Sequence, residues 1–418
     1  MNVGSMLSYG GMTLCALVGL KLIAYIAHSI QTLVQERTRF KLASELLKSR
    51  IVSAKRSLIF PDEETLPWSG IRKFRIKWKV AECVDASSFY LVPHDGKRLP
   101  PFKPGQYLTL SAKLDARSIV RCYSLSDSPR QDYYRITVKK IRGTGSNEPG
   151  KFSSYLNDEL KEGDIVDVKA PRGSFFLDCE SNRPVVLLAA GIGVTPIVSM
   201  LNYIVQTNST RQVYLFMGAR DGANHPFKKQ LSTVANEFSN VHLVTCYSAP
   251  REDDKHGVDF DRVGRVGVDL LRETLPSSNF EYYLCGPPAF IDSLTSGLKE
   301  WGVPNDDVKL EAFGPASRKS AKEEKASSSS ASSTGLKVEF ARSGKSAVWD
   351  GKYETLLDLA EANQIQIDSG CRAGNCGTCL IAVKSGRIQH QSDPGSEVDE
   401  GTCLPCIAVP DENVILDT

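Results

Sequence analysis

The sequence predicts a multidomain chain, with an N-terminal membrane helix, an antiparallel β-barrel, an α/β domain built on a parallel sheet, and a small α+β domain at the C-terminus. Three observations predict this order. The first 35 residues carry a single charge, that of Lys21. Short alternating strands give way after Arg183 to buried strands that alternate with helical segments. Five of the eleven cysteines lie between Cys371 and Cys406.

Length and composition exclude several classes of protein. At roughly 100–200 residues per domain, a chain of 418 residues holds two to four domains. The hydrophobic fraction of 41% and the charged fraction of 24% are those of globular proteins, so a wholly disordered or collagen-like chain is excluded. A net charge of +2 gives no indication of nucleic acid as a partner. The clustered cysteines favour metal or iron–sulfur ligation in a reducing compartment over a disulfide scaffold.

Residues 1–35 are predicted to form a membrane anchor. The 21 residues from Gly10 to Ile30 are mostly apolar, and a helix of that length spans a hydrocarbon core of about 30 Å. Residues 36–70 form a basic juxtamembrane segment, so the positive-inside rule places the rest of this single-pass chain on the cytoplasmic side. A helix on the membrane surface and a soluble core helix are the alternatives, because Lys21 near mid-span offsets much of the apolar gain.

Polar residues also recur at helical spacing along this segment. They are Lys21, Tyr25, His28, Thr32 and Gln35. The spacing places them on one helix face, which a membrane-embedded partner or a second copy of the chain could cover. Two alternatives remain. The helix could lie in the membrane interface with this stripe toward water, or the spacing could be due to chance, with the Lys21 side chain reaching to the membrane surface.

Four further segments follow. Residues 71–180 hold six short runs of β type at the spacing of a small barrel, and residues 181–315 alternate buried strands with helices, as in a parallel sheet. Residues 316–335 hold eight serines and no aromatic residue, Leu, Ile or Val, so they read as a flexible linker. Residues 336–418 begin with a strand, KVEFAR, and a helix, TLLDLAEAN.

The C-terminal cysteines have the spacing C-x4-C-x2-C, followed by a more distant cysteine. This spacing is that of plant-type ferredoxins, in which four thiolates hold a 2Fe–2S cluster. The predicted ligands are Cys371, Cys376, Cys379 and Cys406. Cys403 competes for the fourth position, but Cys406 directly precedes the apolar stretch and proline typical of such ferredoxins, so Cys403 is interpreted as a buried thiol. A zinc site is the alternative, although zinc sites more often present two C-x2-C pairs.

Five short motifs succeed one another between residues 73 and 315. They are Arg121-Cys-Tyr-Ser124, Gly150-Lys-Phe-Ser153, Gly191-Ile-Gly-Val-Thr-Pro196, Cys285-Gly-Pro287 and Glu311-Ala-Phe-Gly314. In this order they resemble the ferredoxin–NADP reductase superfamily, and most closely the reductase portion of flavohaemoglobins. The resemblance implies an FAD-binding barrel, an NAD(P)-binding parallel sheet and, at the C-terminus, a β-grasp ferredoxin domain.

The resemblance also implies roles for individual residues. The residues implied for FAD are Arg121, Tyr123, Ser124, Val138, Lys139, Gly150, Lys151, Phe152, Ser153 and Phe313. The residues implied for the pyridine nucleotide are Gly191, Gly193, Thr195, Pro196, Arg220, Cys285, Gly286 and Pro287. Ser124, Cys285 and Glu311 are implied as catalytic. Arg220 suits the 2′-phosphate of NADPH whereas Asp221 would repel it, so NADH is favoured without being settled. Four other cysteines, Cys83, Cys122, Cys179 and Cys246, are expected to pack as small hydrophobic side chains.

The expected function is that of a membrane-attached oxidoreductase. It would pass electrons from NADH or NADPH through FAD and a 2Fe–2S cluster to a separate acceptor protein, such as an oxygenase, hydroxylase or desaturase. The expected partners are that acceptor, for which a membrane-embedded protein is one candidate, and membrane lipid. The alternatives are a quinone reductase or diaphorase, a reductase of the hybrid-cluster-protein type, and a redox-sensing electron carrier.

Overall fold

The computed structural model describes residues 68–115, 117–143, 149–207, 209–312, 335–370, 372, 374, 377–391, 394 and 398–418. The chain divides into two compact units, 1–64 and 65–418, and every described residue belongs to the second. The predicted membrane helix, the basic segment up to residue 67 and residues 316–334 of the predicted linker therefore lie outside the described residues. Within the described ranges, no helix is both long and apolar enough to cross a membrane.

The first domain is the predicted antiparallel barrel. Its strands are β1 (Ile71–Cys83), β2 (Ala86–Pro93), β3 (Tyr107–Leu114), β4 (Arg117–Ser124), β5 (Tyr134–Lys139) and β6 (Ile165–Arg172). They form one sheet in the order β4-β3-β6-β1-β2-β5. A bridge between Leu125 and Ile136 joins the two outer strands, so the sheet closes on itself. Alternate residues such as Phe74 and Ile76 fill the interior, as the period of two predicts.

A short helical segment crosses between β5 and β6. It consists of α1 (Lys151–Ser154) and one π-helical turn (Tyr155–Glu159). The Lys79 ammonium of β1 donates to the carbonyl oxygens of Leu156, Asn157 and Leu160 at 3.3, 2.7 and 2.7 Å. These carbonyl groups lie at the end of the segment, where helices leave oxygen atoms without internal partners, so Lys79 caps it.

The second domain is the predicted parallel sheet. Its strands are β7 (Val185–Ala190), β8 (Val213–Ala219), β9 (Val241–Tyr247), β10 (Arg262–Val263), β11 (Glu281–Gly286) and β12 (Val308–Ala312), in the order β10-β9-β8-β7-β11-β12. Its helices are α2 (Val194–Gln206), α3 (Lys228–Glu237), α4 (Val268–Thr274) and α5 (Pro288–Glu300). The two outer strands, β10 and β12, are not among the four strands that the sequence predicts, because β10 has two residues and β12 carries charges at alternate positions.

The third domain is the predicted C-terminal α+β unit. Its elements are β13 (Leu336–Phe340), β14 (Lys345–Trp349), α6 (Leu356–Ala362), β15 (Ile381–Ser385), β16 (Ile388–His390), β17 (Thr402–Cys403), β18 (Ala408–Pro410) and β19 (Val414–Leu416). Strand β13 pairs antiparallel with β14 and parallel with β19, which makes the main sheet mixed. Thr355 caps α6, since its hydroxyl accepts a hydrogen bond from the backbone N–H of Asp358 at 3.2 Å. The predicted strand and helix at the start of this domain are both confirmed.

Candidate functional site

The first part of the site is the end of strand β4, which carries the Arg-x-Tyr-Ser motif. Ser124 is buried, whereas the Arg121 side chain is exposed and donates to the Val120 carbonyl at 2.7 Å. The Tyr123 ring stacks on Phe152 of α1, with centroids 6.1 Å apart and planes inclined by 28°. Burial raises the pKa of Tyr123 above its ordinary range, so the phenol stays neutral. The motif therefore offers an aromatic face and a solvent-exposed guanidinium on one strand, which suits a flavin and its phosphates.

The glycine turn before α1 is the second part. The Ser153 hydroxyl donates to the Gly150 carbonyl at 2.9 Å and accepts from the N–H of Ile141 at 3.1 Å. A Cβ atom on Gly150 would lie 2.6 Å from that hydroxyl, so only glycine fits. Lys151 forms an exposed ion pair with Asp115 at 3.3 Å.

Two neighbouring residues implied for FAD lie on β5. The Val138 side chain is buried in the barrel core, and its carbonyl accepts from the Asn157 amide at 3.3 Å. The Lys139 ammonium is 3.4 Å from Asp85. In this structure both residues have protein partners, and their contact with FAD stays a prediction.

The turn between β7 and α2 is the third part, and it lies at the carboxyl edge of the parallel sheet. Gly191 has a backbone φ of +56°. Residues other than glycine adopt this left-handed conformation only at a cost in free energy. A Cβ atom on Gly193 would meet the Cys285 carbonyl oxygen at 2.2 Å, so the two backbones touch. Thr195 donates to the Ile192 carbonyl at 3.0 Å and Pro196 is buried in the first turn of α2. Open space above Gly191 fits a dinucleotide that lies against this turn.

Three side chains from different strands meet beside this turn. Cys285 of β11 pairs in register with Glu311 of β12, and the Ser124 hydroxyl donates to Glu311 Oε2 at 3.4 Å. Burial raises the pKa of Glu311 to about 8, and the hydrogen bond from Ser124 only partly opposes it. Burial, and then the nearby Glu311, raise the pKa of the Cys285 thiol. At neutral pH the group is therefore an uncharged acid beside an uncharged thiol, which can hold a proton without carrying charge.

The remaining nucleotide residues lie along the same edge. Pro287 precedes α5, and a Cβ on Gly286 would meet the Phe290 ring at 2.7 Å. Arg220, directly after β8, is exposed, whereas the Asp221 carboxylate is buried and accepts from the backbone N–H of Asn224 at 3.0 Å. Asp221 is thus engaged within its own turn while Arg220 is open to solvent. Phe313 lies outside the described residues.

Of the four predicted cluster ligands, Cys379 and Cys406 are described, and both are buried. Cys371 and Cys376 lie outside the described residues. Gly374 and Gly377 of the same loop have positive φ angles of 75° and 64°. Glycine adopts these positive φ angles without strain, and the absence of a side chain lets the loop backbone approach sulfur atoms closely, which suits an iron–sulfur cluster. Cys403 is fully buried in the domain core, as expected of a packed thiol.

Two features depart from the sequence analysis. Cys179 is exposed in the loop that follows the barrel, so the expectation that it packs as a small hydrophobic side chain is wrong. Its neighbours Asp178 and Glu180 are charged, which keeps this stretch at the surface. The sequence analysis also missed Asp127, a buried carboxylate just beyond Ser124. The available signal was a single acidic residue next to a motif strand.

Comparisons with known proteins agree with this geometry. Residues 73–177 match the oxidoreductase FAD-binding domain, residues 187–295 the oxidoreductase NAD-binding domain, and residues 341–411 the 2Fe-2S iron-sulfur cluster binding domain. The flavohemoprotein of Bacillus cereus is 40% identical over 251 residues, which are 60% of this chain and 62% of that protein. The chain therefore spans less than two thirds of the length of the curated relatives it matches.

Two solved structures are also similar. The flavohem-like FAD/NAD binding domain of nitric oxide dioxygenase from Vibrio cholerae is 31% identical, with a TM-score of 0.53, over 58% of this chain and 99% of that one. Phthalate dioxygenase reductase is 25% identical, with a TM-score of 0.52, over 84% of this chain and 98% of that one. The chain therefore carries the FAD-binding and NAD-binding domains of the ferredoxin–NADP reductase superfamily, joined to a 2Fe–2S iron–sulfur cluster binding domain.

Proposed function

We propose that this chain is a membrane-attached reductase that takes electrons from NADH or NADPH and delivers them one at a time to a separate acceptor protein. The observation that carries the proposal is the contact of Ser124 with Glu311, directly opposite Cys285. It brings the strand with the flavin motif to the sheet edge with the nucleotide motif. A hydride donor and a hydride acceptor held by these motifs would therefore lie side by side.

The protein and its cofactors divide the work. FAD, when bound, accepts a hydride from the nicotinamide and releases single electrons, which the 2Fe–2S cluster carries. Gly193 lets the turn that precedes α2 pack directly against the backbone of Cys285, because no side chain intervenes. The half-buried Glu311 holds a proton beside Ser124 at neutral pH without placing a charge at the reaction centre.

The proposed acceptor is an oxygenase, hydroxylase or desaturase. The similarity to phthalate dioxygenase reductase supports this class, because it covers 84% of the chain and includes the 2Fe–2S domain. A quinone reductase is the second candidate, since the apolar segment from Gly10 to Ile30 would bring the chain close to lipid-soluble acceptors.

Membrane attachment rests on the sequence of residues 1–67. The apolar segment followed by a basic one supports a single span with the three domains on the cytoplasmic side. Carbonate extraction of membranes tests it, because a spanning chain stays in the pellet and a surface-bound chain is released.

The double variant Lys21→Leu, His28→Leu tests the polar stripe. Loss of partner-coupled turnover from a chain that stays in the membrane would place a partner against that stripe.

The test of electron flow uses the full chain with its cofactors. On mixing with NADH or NADPH in a stopped-flow instrument, we expect the flavin absorbance to bleach before the cluster absorbance. Cytochrome c, a short-chain quinone and proteins that co-purify with the chain are then compared as acceptors. The variant Cys376→Ser should keep ferricyanide reduction and lose delivery to the acceptor. Loss of both activities with FAD still bound would refute the order from flavin to cluster.

A further inference from the structure

We propose that Asp127 is a positioning residue, whose buried carboxylate fixes helix α2 against the end of strand β4 and so sets how the nicotinamide meets the flavin. The inference rests on the proposed function for the reaction concerned. Asp127 belongs to none of the five motifs whose residues are predicted to contact a cofactor. Asp127 lies three residues beyond Ser124, and only 6% of it is exposed.

The Asp127 carboxylate accepts hydrogen bonds from both domains. Within the barrel it accepts from the Tyr133 hydroxyl at 2.8 Å and from the N–H of Ser128 at 2.9 Å. From the other domain it accepts from the Asn202 amide of α2 at 2.8 Å. Its backbone carbonyl accepts from the Ser199 hydroxyl of the same helix at 2.6 Å. One residue of the barrel is therefore bonded to α2 through both its side chain and its backbone.

The helix side of this contact is held in a fixed orientation. The Gln230 amide of α3 donates to Asn202 Oδ1 at 2.8 Å, which leaves the Asn202 amide nitrogen directed at Asp127. Helix α2 begins at Val194, immediately after Gly193. At 1.5 Å per residue, Asn202 lies about 13 Å along the helix from that turn. A shift of α2 at Asn202 would therefore also move the turn that faces the nucleotide.

Two arginines of the barrel lie close to the Asp127 carboxylate. Arg130 lies 3.5 Å from Asp127, and the buried Arg135 guanidinium lies 5.0 Å from the centre of the Phe227 ring of the other domain. Burial alone would raise the pKa of Asp127, but Arg135 and Arg130 hold it below its ordinary value. The carboxylate is thus charged at neutral pH and balances cations at the domain boundary. Removal of the Asp127 charge would leave these cations without this opposite charge beside them.

A positioning role of Asp127 would change the rate of hydride transfer more than the affinity for the nucleotide. Hydride transfer depends steeply on geometry, and a misplacement of about 1 Å can cost about 100-fold in rate. Asp127 lies outside the motifs implied to hold the nucleotide, so the affinity for NADH or NADPH should change little when it is replaced. The expected signature is a slower transfer step at unchanged affinity.

The experiment compares variants of the full chain loaded with FAD and cluster. Asp127→Asn keeps the shape and removes the charge, Asn202→Ala removes the contact from the other domain, and the exposed Asp132→Asn is the matched control. We expect flavin reduction at saturating NADH or NADPH to slow about 10- to 100-fold in the first two and to be unchanged in the control. The dissociation constant for the nucleotide should change less than about threefold, and the long-wavelength charge-transfer band of the nicotinamide–flavin pair should weaken.

A second measurement needs no nucleotide. Amide hydrogen exchange of residues 194–206 should rise in Asp127→Asn and in Asn202→Ala, but not in Asp132→Asn. Unchanged transfer rates and unchanged exchange in folded Asp127→Asn would overturn the positioning role, as would a loss confined to nucleotide affinity. If neither NADH nor NADPH reduces the flavin of the unaltered chain, the proposed function fails, and the exchange measurement still decides whether Asp127 holds α2.

Discussion

The Ser124 hydroxyl lies 3.4 Å from Glu311 Oε2, which joins a strand of the barrel to the last strand of the parallel sheet, 187 residues further along the chain. Cys285 pairs with Glu311 in the adjacent strand, and Gly193 touches the Cys285 backbone. Four separate sequence motifs therefore meet at one place. Each contact in this series can be tested by replacing one member and a matched residue elsewhere.

The first prediction concerns the pH dependence that Glu311 brings. Burial raises its pKa from an ordinary value of 4.5 to about 8, so between these values the folded chain holds a proton that the unfolded chain releases. The free energy of unfolding should therefore fall as pH rises through this window, by up to about 1.4 kcal/mol per pH unit. This contribution is fully present below pH 4.5 and is lost as pH rises through about 8.

Glu311→Gln should remove this dependence, because an amide does not titrate. Thermal unfolding from pH 5 to 9 measures the stability, and single-turnover flavin reduction should show an inflection near pH 8 that the variant lacks. The exposed Glu300→Gln is the control and should behave like the unaltered chain. An inflection that persists in Glu311→Gln would assign the titration to another group.

The second prediction concerns the Cys285 thiol. Cys285→Ala should slow flavin reduction by NADH or NADPH about tenfold or more while FAD stays bound, because the thiol lies beside the turn proposed to hold the nucleotide. Cys246→Ala is matched to it, since both thiols are fully buried in the same sheet. Both variants should lose on the order of 1 kcal/mol of stability. Stopped flow measures the rate of flavin reduction. Equal rates in the two variants would show that Cys285 has no role in the reaction.

The third prediction separates two glycines of one turn. In Gly193→Ala the new Cβ must push the Cys285 carbonyl away, since it would lie 2.2 Å from it, so flavin reduction at saturating nucleotide should fall. In Gly191→Ala the new Cβ meets no protein atom within 4 Å, but φ is +56°, which costs about 1–2 kcal/mol. That Cβ points into the proposed dinucleotide site, so KM should rise instead. Steady-state kinetics that show the same change in both variants would contradict this division.

The fourth prediction decides the fourth ligand of the cluster. Cys406→Ser should abolish the visible absorbance and the electron paramagnetic resonance signal of the reduced 2Fe–2S cluster, and Cys403→Ser should retain both. The two thiols are equally buried, so a loss of packing affects both variants alike. Retention of the cluster in Cys406→Ser together with its loss in Cys403→Ser would reverse the assignment.

Much of the fold could be predicted because burial imposes a period on the sequence. Alternation in β1 and continuous burial in β7 identify a barrel strand and a central parallel strand without any contact information. Strand β12 escapes this reasoning, because an edge strand alternates charged and apolar residues much as an exposed loop does. The motif residues were found because short segments of the sequence, in their order, resemble those of the ferredoxin–NADP reductase superfamily.

Asp127 could not be found in the same way. Its importance lies in partners that are 75 residues away on α2, and no local pattern marks such a contact. The same holds for Asp221, whose carboxylate accepts from the backbone N–H of Asn224 in its own turn, while its repulsion of a 2′-phosphate stays a prediction. Local sequence predicts which groups are present, whereas hydrogen-bond partners decide which of them face a ligand.

The edge position of β12 has a consequence for how such chains can be assembled. β12 is the outermost strand of its sheet and pairs with β11 on one side alone, so the sequence beyond residue 312 can leave without interrupting any strand pairing in the described domain. A new electron-carrying module can therefore be spliced on at this point by gene fusion while the reductase keeps its architecture. Exchange of residues 336–418 for another 2Fe–2S domain would then show whether this domain selects the proposed acceptor.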